Sequence, residues 1–175
     1  FSIDRQILHG ALYKAQGIVD KKSSLNVLSH VLVESLDSET LRFLSTDYDV
    51  ALVSVHPCQV TEPGAMAING RYAFEVVRNL PPSPVLLKSH PNHWVHLTCG
   101  RSEFKLVGIP PEDFPEQKDP EDSDYLTIPK ATLLSMIERT VFCVSADESR
   151  MNLNGVFMEI EPLDWADGYD ISLVS

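Results

Sequence analysis

Polar and apolar positions along this chain repeat with two spacings, and the points where one gives way to the other mark out the elements. Residues 1–3 read as a short strand, with Asp4 placed to cap a helix. Ile7, Leu8, Ala11, Leu12 and Ala15 then recur every three or four residues. That spacing predicts a helix with one apolar face and leaves Arg5, His9 and Lys14 off it. Asp20-Lys21-Lys22-Ser23-Ser24 is a polar loop without an apolar anchor. From Val27 the bias turns β-branched and aromatic, predicting strands over 27–35, 41–46 and 50–56, with Asp37-Ser38 and Asp47-Tyr48-Asp49 as the turns between them. After the turn Thr61-Glu62-Pro63-Gly64 the same order begins again. A strand at 65–68, an Asn69 cap and a helix at 70–79 lead to Leu80-Pro81-Pro82, where the helix must stop. Ala73, Phe74, Val77 and Leu80 form that helix's inward face, and strands follow at 84–89, 93–99 and 102–107. The expected class is α+β: a first domain of two β-α-β-β-β halves joined near residue 60.

Residues 108–124 carry Pro110, Pro111, Pro115 and Pro120 and a run of acids against the single Lys118, so they read as linker, with Phe114 tucked into a neighbouring sheet. A strand at 124–128, a helix opening at Pro129, and strands at 153–161 and 168–174 follow. Leu133, Met136 and Ile137 are expected on that helix's core side. Set back by 125 positions, this segment repeats the N-terminus: Ile128 meets Ile3, Leu133 meets Leu8, Val144 meets Val19, Ser149 meets Ser24, Leu153 meets Leu28, Val156 meets Val31 and Glu159 meets Glu34. Such a period repeats whole domains, because solenoid units recur at roughly 20–50 residues. The expected organisation is a domain over 1–110, an acidic proline-rich linker over 111–123, and the first half of a second domain over 124–175, cut short at Ser175. The opening residue is Phe1, so the native N-terminus is expected upstream.

Composition narrows the class. Apolar residues make up 43% of the chain, which suits a packed globule. No apolar run approaches the roughly 18–20 residues that span a bilayer, so no membrane role is expected. Cys58, Cys99 and Cys143 form no CxxC pair and read as reduced thiols of a cytosolic, cytoplasmic protein. The net charge of −11 alone argues against nucleic acid, but its distribution argues otherwise. The helical stretches with the first loop (4–22, 70–79, 129–139) hold eight basic residues against four acids, while the remainder holds six against 21. A basic helical surface on an acidic body can still meet phosphates.

Candidate chemistry is thin. Asp47 and Asp49 could suggest a metal-nucleotide site, but Asp is a common turn residue and no third ligand is visible. His90, His93 and His96 invite a zinc reading. No cysteine or carboxylate completes the set nearby, and a hairpin tip explains them better. No GxSxG, P-loop, GxGxxG or HExxH motif is present, and neighbours Ser29 and His30 on a strand would point apart. No catalytic residue, metal or cofactor is expected.

One set of short motifs is specific in its order and spacing. They are Leu25-x-Val27-Leu28, Thr46-Asp47, Glu62-Pro63-Gly64-Ala65, Leu80-Pro81, Gly100-Arg101-Ser102-x-Phe104-x-Leu106, Glu112-Asp113-Phe114-Pro115, and Asp147-Glu148-Ser149-Arg150-x-x-Leu153-Asn154-Gly155-Val156. With them the chain resembles the bacterial DNA polymerase III beta subunits, the sliding clamps, over its whole length, Phe1 to Ser175. The match runs through that family's first domain and about half of its second. The resemblance implies a DNA-clamp fold, with helices on an inner face and antiparallel sheets outside. It implies a non-catalytic processivity factor that, at full length, closes as a head-to-tail homodimer ring around double-stranded DNA without reading sequence. The implied partners are replicative and repair polymerases and the clamp loader. Lys22 matches a DNA-contacting arginine of the family, and Arg71 and Arg78 match basic positions of the second inner helix. Lys14, Lys21, Lys130 and Arg139 join them as DNA-binding candidates, with Met151 and Asn152 standing where the family often has aromatic or polar groups. Arg101, Phe104 and Leu106 match the edge strand that pairs with another subunit, and Leu153 one wall of the pocket for partner peptides. Departures are Asn26 in place of the usual proline and Ser135 in place of a common basic residue. Two other readings use the same features: a β-rich protein-interaction module with no DNA role, and a metal-dependent hydrolase built on the histidines or on Asp47 and Asp49.

Overall fold

The computed structural model describes residues 1–19, 26–117, 126–147, 149–150, 153–163 and 168–175. The chain divides into two compact units, Phe1–Lys118 and Asp119–Ser175. In the first, strand β1 (Ser2–Ile3) leads into helix α1 (Arg5–Ala15), then β2 (His30–Ser35), β3 (Thr40–Thr46) and β4 (Ala51–Pro57). The order recurs as β5 (Ala65–Asn69), α2 (Gly70–Arg78), β6 (Val85–Ser89), β7 (Trp94–Cys99) and β8 (Ser102–Ile109). The two expected β-α-β-β-β halves are therefore present.

Each helix starts where its cap dictates. Asp4 accepts from the backbone N–H of Gln6 at 2.7 Å and Asn69 from that of Tyr72 at 3.0 Å, satisfying donors with no partner inside the helix.

All strand pairs are antiparallel, in the order β1-β6-β7-β8-β5-β2-β3-β4. The order shows an exchange between halves. β1 pairs with β6 of the second half, and β5 pairs with β2 of the first. The sheet then curls until its ends meet, with Ser2 and Gln59 exchanging two backbone hydrogen bonds of 2.8 Å. A second junction mirrors this one, where β8 leaves β7 and pairs with β5 through Ile109–Ala67 and Gly108–Ile68. There a side chain has no room: a Cβ on Gly108 would sit 2.5 Å from the Ala67 carbonyl oxygen and 2.6 Å from that of His93.

The main core lies between the sheet and the two helices. Leu8, Ala11, Leu12 and Ala15 of α1 and Ala73 and Val77 of α2 meet Val31, Val33, Leu41, Phe43, Val85, Leu87, Val95 and Leu97. Each large side chain so buried is worth roughly 1.5–3 kcal/mol. On the other sheet face a smaller cluster joins Leu32, Leu44 and Ala67 under Phe114, as expected of that residue. β2 is thus covered on both faces, whereas β4 alternates exposed and half-buried residues along an open edge.

The second unit holds α3 (Lys130–Thr140) and a hairpin of β9 (Phe157–Pro162) with β10 (Tyr169–Val174). The Ser175 hydroxyl donates to the Thr140 carbonyl at 2.7 Å, tying hairpin to helix. None of its described residues is fully buried, so Leu133 and Met136 are only half-covered and Ile137 is exposed.

Several boundaries differ from expectation. Residues Asn26–Ser29 form a 3₁₀ turn, and β2 begins only at His30, where pairing with Asn69 of β5 starts. Of the strand expected at 124–128, residues 124 and 125 lie outside the described residues and 126–128 are not strand, since no described strand lies beside them to complete a ladder. β9 begins at Phe157, because the preceding residues turn to let Leu153 accept from Ser145 at 2.8 Å.

The Gly108 junction gives a direct test. Gly108→Ala should lower unfolding free energy by about 1–3 kcal/mol, as overpacking against backbone does. Gly10→Ala, with nothing within 4 Å of its Cβ inside α1, should raise it by about 0.4–1 kcal/mol. Urea titrations of both variants check this pair of opposite signs.

Candidate nucleic-acid interface

The two helices of the first unit run antiparallel, side by side. Arg5 at the start of α1 donates from Nε to the Val77 carbonyl at 3.1 Å and from Nη2 to the Arg78 carbonyl, where α2 ends. A cation there satisfies carbonyls left open by the helix and complements its dipole. Midway, His9 and Tyr13 lie against Phe74, with ring centroids at 5.0 and 6.1 Å. At the other end, Gln16 and Val19 share a cavity of about 210 Å³ with Arg71 and Glu75. Of the charges read as lying on the open face of α1, then, Arg5 is used inside the fold and only Lys14 remains outward.

Because the apolar faces are held by the core, the opposite faces are forced outward. They expose Tyr13, Lys14, Arg71, Tyr72 and Arg78. Arg78 is paired with Glu75 at 2.9 Å, while Lys14 and Arg71 make no ion pair with a described residue. No acid stands in the first turn of any of the three helices. Arg71 and Lys130 instead stand in the first turns of α2 and α3, against the helix dipole, at a cost to the helix of about 0.3–1 kcal/mol each. Such cations weaken their helix but strengthen attraction for an anion at its N-terminus. In the second unit Lys130 and Arg139 are both exposed. Lys21, Lys22, Met151 and Asn152 lie outside the described residues.

The other expected sites are local features of the strands and turns. Arg101 is exposed in the tight β7–β8 turn, where Gly100 takes φ +58°. Phe104 and Leu106 share the core-facing side of β8, with Leu106 buried and Phe104 39% exposed. Residues 102–107 pair with β7 alone, so their other edge is open among the described residues. Leu153 is half exposed on a turn built by Asp147, whose carboxylate accepts from the Ser149 hydroxyl at 2.6 Å and backbone N–H at 3.0 Å. Those two bonds hold the Asp147 carboxyl below the usual range.

The metal readings lose their geometry. Asp47 spends Oδ1 on the N–H groups of Asp49 and Val50, at 3.1 and 2.7 Å, to close its turn. His90 and His93 lie in the β6–β7 turn and His96 in β7, and among the described residues no group of three or more His, Cys, Asp or Glu could hold an ion. No described helix is long and apolar enough to cross a membrane.

A family model described as DNA polymerase III beta subunit, N-terminal domain, matches residues 1–118. The beta sliding clamp of Chlamydia trachomatis is 34% identical over 160 residues, covering 91% of this chain and 38% of that protein. The Escherichia coli K12 beta sliding clamp is 30% identical over 162 residues, covering 92% and 44%. Among solved structures, the beta sliding clamp of Caulobacter crescentus superposes with a TM-score of 0.82 at 29% identity, over 91% of this chain and 43% of that one. The chain spans less than half the length of these relatives.

His56 on β4 reports on the charge of the helix face. Burial first, and then the Lys14 ammonium, push its imidazole below the ordinary histidine value. The unfolded chain therefore binds more protons than the folded one, so this group's contribution to stability falls as pH drops through the ordinary histidine range. Lys14→Met should raise the His56 value in an NMR titration. His56→Asn should make the stability loss between about pH 7.5 and pH 5.5 shallower in urea unfolding.

Proposed function

The chain belongs to the DNA polymerase III beta subunit family, and from that membership we propose that it supplies the first domain and the start of the second in a sliding clamp. The full-length subunit closes with a second copy into a ring around double-stranded DNA, in the cytoplasm. It is a non-catalytic accessory that keeps the replicative polymerase near the primer end. The observation that carries this reading is the outward face of the α1–α2 pair. Within α1 and α2 it bears Lys14, Arg71 and Arg78 against one acid, Glu75, in a chain whose net charge is −11.

Loose, sequence-blind contact with phosphates suits such a face, since side chains on phosphates position a protein without reading bases. Lys21, Lys22, Lys130, Arg139, Met151 and Asn152 extend the lining in this reading. The acidic remainder of the surface repels other nucleic acid and keeps the ring soluble. Topological linkage then does what tight binding would otherwise do, and a polymerase held on the ring gains a high effective concentration at the primer. The open edge of β8, with Arg101, Phe104 and Leu106, serves as the subunit junction by strand addition. Leu153 contributes one wall of a docking site for peptides of polymerases and the clamp loader.

Retention on DNA tests this reading. The full-length subunit that carries this sequence, loaded on a nicked circle by its clamp loader, should remain through a high-salt wash and leave within minutes once the circle is linearised. Replacing Lys14, Arg71 and Arg78 by Glu should lower the loaded amount about tenfold or more, since phosphate contacts dominate such binding. Equal retention on circles and linear DNA would contradict encirclement.

A further inference from the structure

The open edge of β8 is bordered by side chains that backbone pairing alone does not use. Successive residues of a strand point to opposite faces. With Phe104 and Leu106 on the core side, Glu103, Lys105 and Val107 stand on the outer one. The register carries that outer face across three strands. Val107 lies opposite Trp94, and Lys105 lies opposite His96, which lies opposite Lys88. Val107 is 59% exposed and Trp94 38% exposed, so the two form an apolar rung left in water. The next rung, Lys88–His96–Lys105, carries two exposed cations. Glu103, the acid on the same face, lies toward His96 at 3.9 Å, and neither lysine makes an ion pair with a described residue. On the helix side of the same edge, Tyr72, Val76, Leu106, Val107 and Ile109 give a cavity of about 470 Å³ a largely apolar wall, with ample room for one large side chain.

We propose that this edge selects its partner strand by side chains. The partner is a strand of a second copy of the full-length protein. It carries a large apolar residue opposite Val107, an acid opposite Lys105, and between them an apolar residue that enters the α2–β8 cavity. This rests on the reading of β8 as the subunit junction. Backbone groups are alike in every strand, so pairing gives affinity and the side chains give choice. Residues directly opposite on one face do discriminate, because opposite charges and apolar pairs stabilise while like charges repel. An acid supplies the sign that the Lys88–His96–Lys105 row lacks, whereas a base there would set three cations in line. An apolar residue beside Val107 withdraws Val107 and Trp94 from water, and tryptophan is among the residues that dominate interface energies. The fold already contains this order once. Leu32-Val33-Glu34 of β2 is covered on both faces, and Glu34 meets Arg42 of the neighbouring strand at 2.7 Å. Phe157-Met158-Glu159 of β9 repeats it, but the 125-residue repeat aligns these residues with that same interior strand. The chain spans less than half the length of its relatives, so the partner strand is sought in the remainder of the full-length protein.

The test uses the full-length subunit that carries this sequence. Sedimentation gives its dimer dissociation constant, and hydrogen exchange compares residues 102–107 in monomer and dimer. Lys105→Glu and Trp94→Ser, both at exposed positions, should each raise that constant about tenfold or more. The urea midpoint of each variant, measured where it is monomeric, should stay put. The second segment that gains protection in the dimer is the partner strand. It should show the order apolar, apolar, acid, and changing its acid to Lys should restore dimerisation to Lys105→Glu. An unchanged constant in either variant, with 102–107 protected in the dimer, overturns the side-chain selection and leaves the junction standing. So does a protected partner strand of another order, or a reversal that fails to restore. A dimer in which 102–107 gain no protection, or a subunit that forms no dimer, removes the junction reading itself, and this selection with it.

Discussion

Burial of one face of α1 and one face of α2 in a shared core governs the functional surface of this molecule. Leu8, Ala11, Leu12 and Ala15 on one helix and Ala73 and Val77 on the other are almost wholly withdrawn from water. A helix pinned along one stripe has no freedom in what it presents on the opposite side. Lys14 and Arg71 are outward because the leucines, valines and alanines are inward. Arg5 fixes the remaining degree of freedom, the sliding of one helix along the other, by bonding the last carbonyls of α2. A cation that would otherwise have joined the open face is thus used to align it.

The sheet makes that arrangement hold. Each half lends its first strand to the other, so neither half has a complete sheet of its own. β1 needs β6, and β5 needs β2. The helix that follows each of these strands is carried along, and the two helices are brought together over one core. Two junctions close the ladder, Ser2 with Gln59 and Gly108 with Ile68, and the second is so tight that only glycine fits. Phe114 then seals the outer face over Leu32 and Leu44. Among the described residues, the backbone edges of β4 and of residues 102–107 in β8 stay open, and an open edge is a ready template for another strand.

Much of this was legible in the sequence, and the reason is periodicity. The three- and four-residue spacing of Ile7 to Ala15, the caps Asp4 and Asn69, and the prolines after Leu80 fix the helices by local rules alone. The β-branched and aromatic bias through 27–35, 41–46 and 50–56 marks the strands by composition. The exchange of first strands was not legible, because pairing between residues 31 to 84 positions apart leaves no local mark. The short 3₁₀ turn before His30 and the missing strand at 126–128 failed for a related reason. Apolar composition predicts a strand, but a strand exists only beside a partner. In the candidate site, Lys14, Arg71 and Arg78 stood out by charge. The alignment role of Arg5 did not, because an arginine off the apolar stripe reads as solvated.

In the proposed reading, the charge pattern separates two tasks, attraction of a duplex and its release. A small number of cations on a rigid face attracts phosphates at short range, within a Debye length of about 8–10 Å at physiological salt. The acids of the strands and turns limit attraction elsewhere. Chemical-shift mapping of this chain against a short DNA duplex examines that division most directly. Amide and side-chain resonances of Lys14, Arg71 and Arg78 should move together with one saturation curve, and those of Val53 and Val55 on β4 should stay still. Shifts centred on β4, or none on the helices at low salt, would contradict the account.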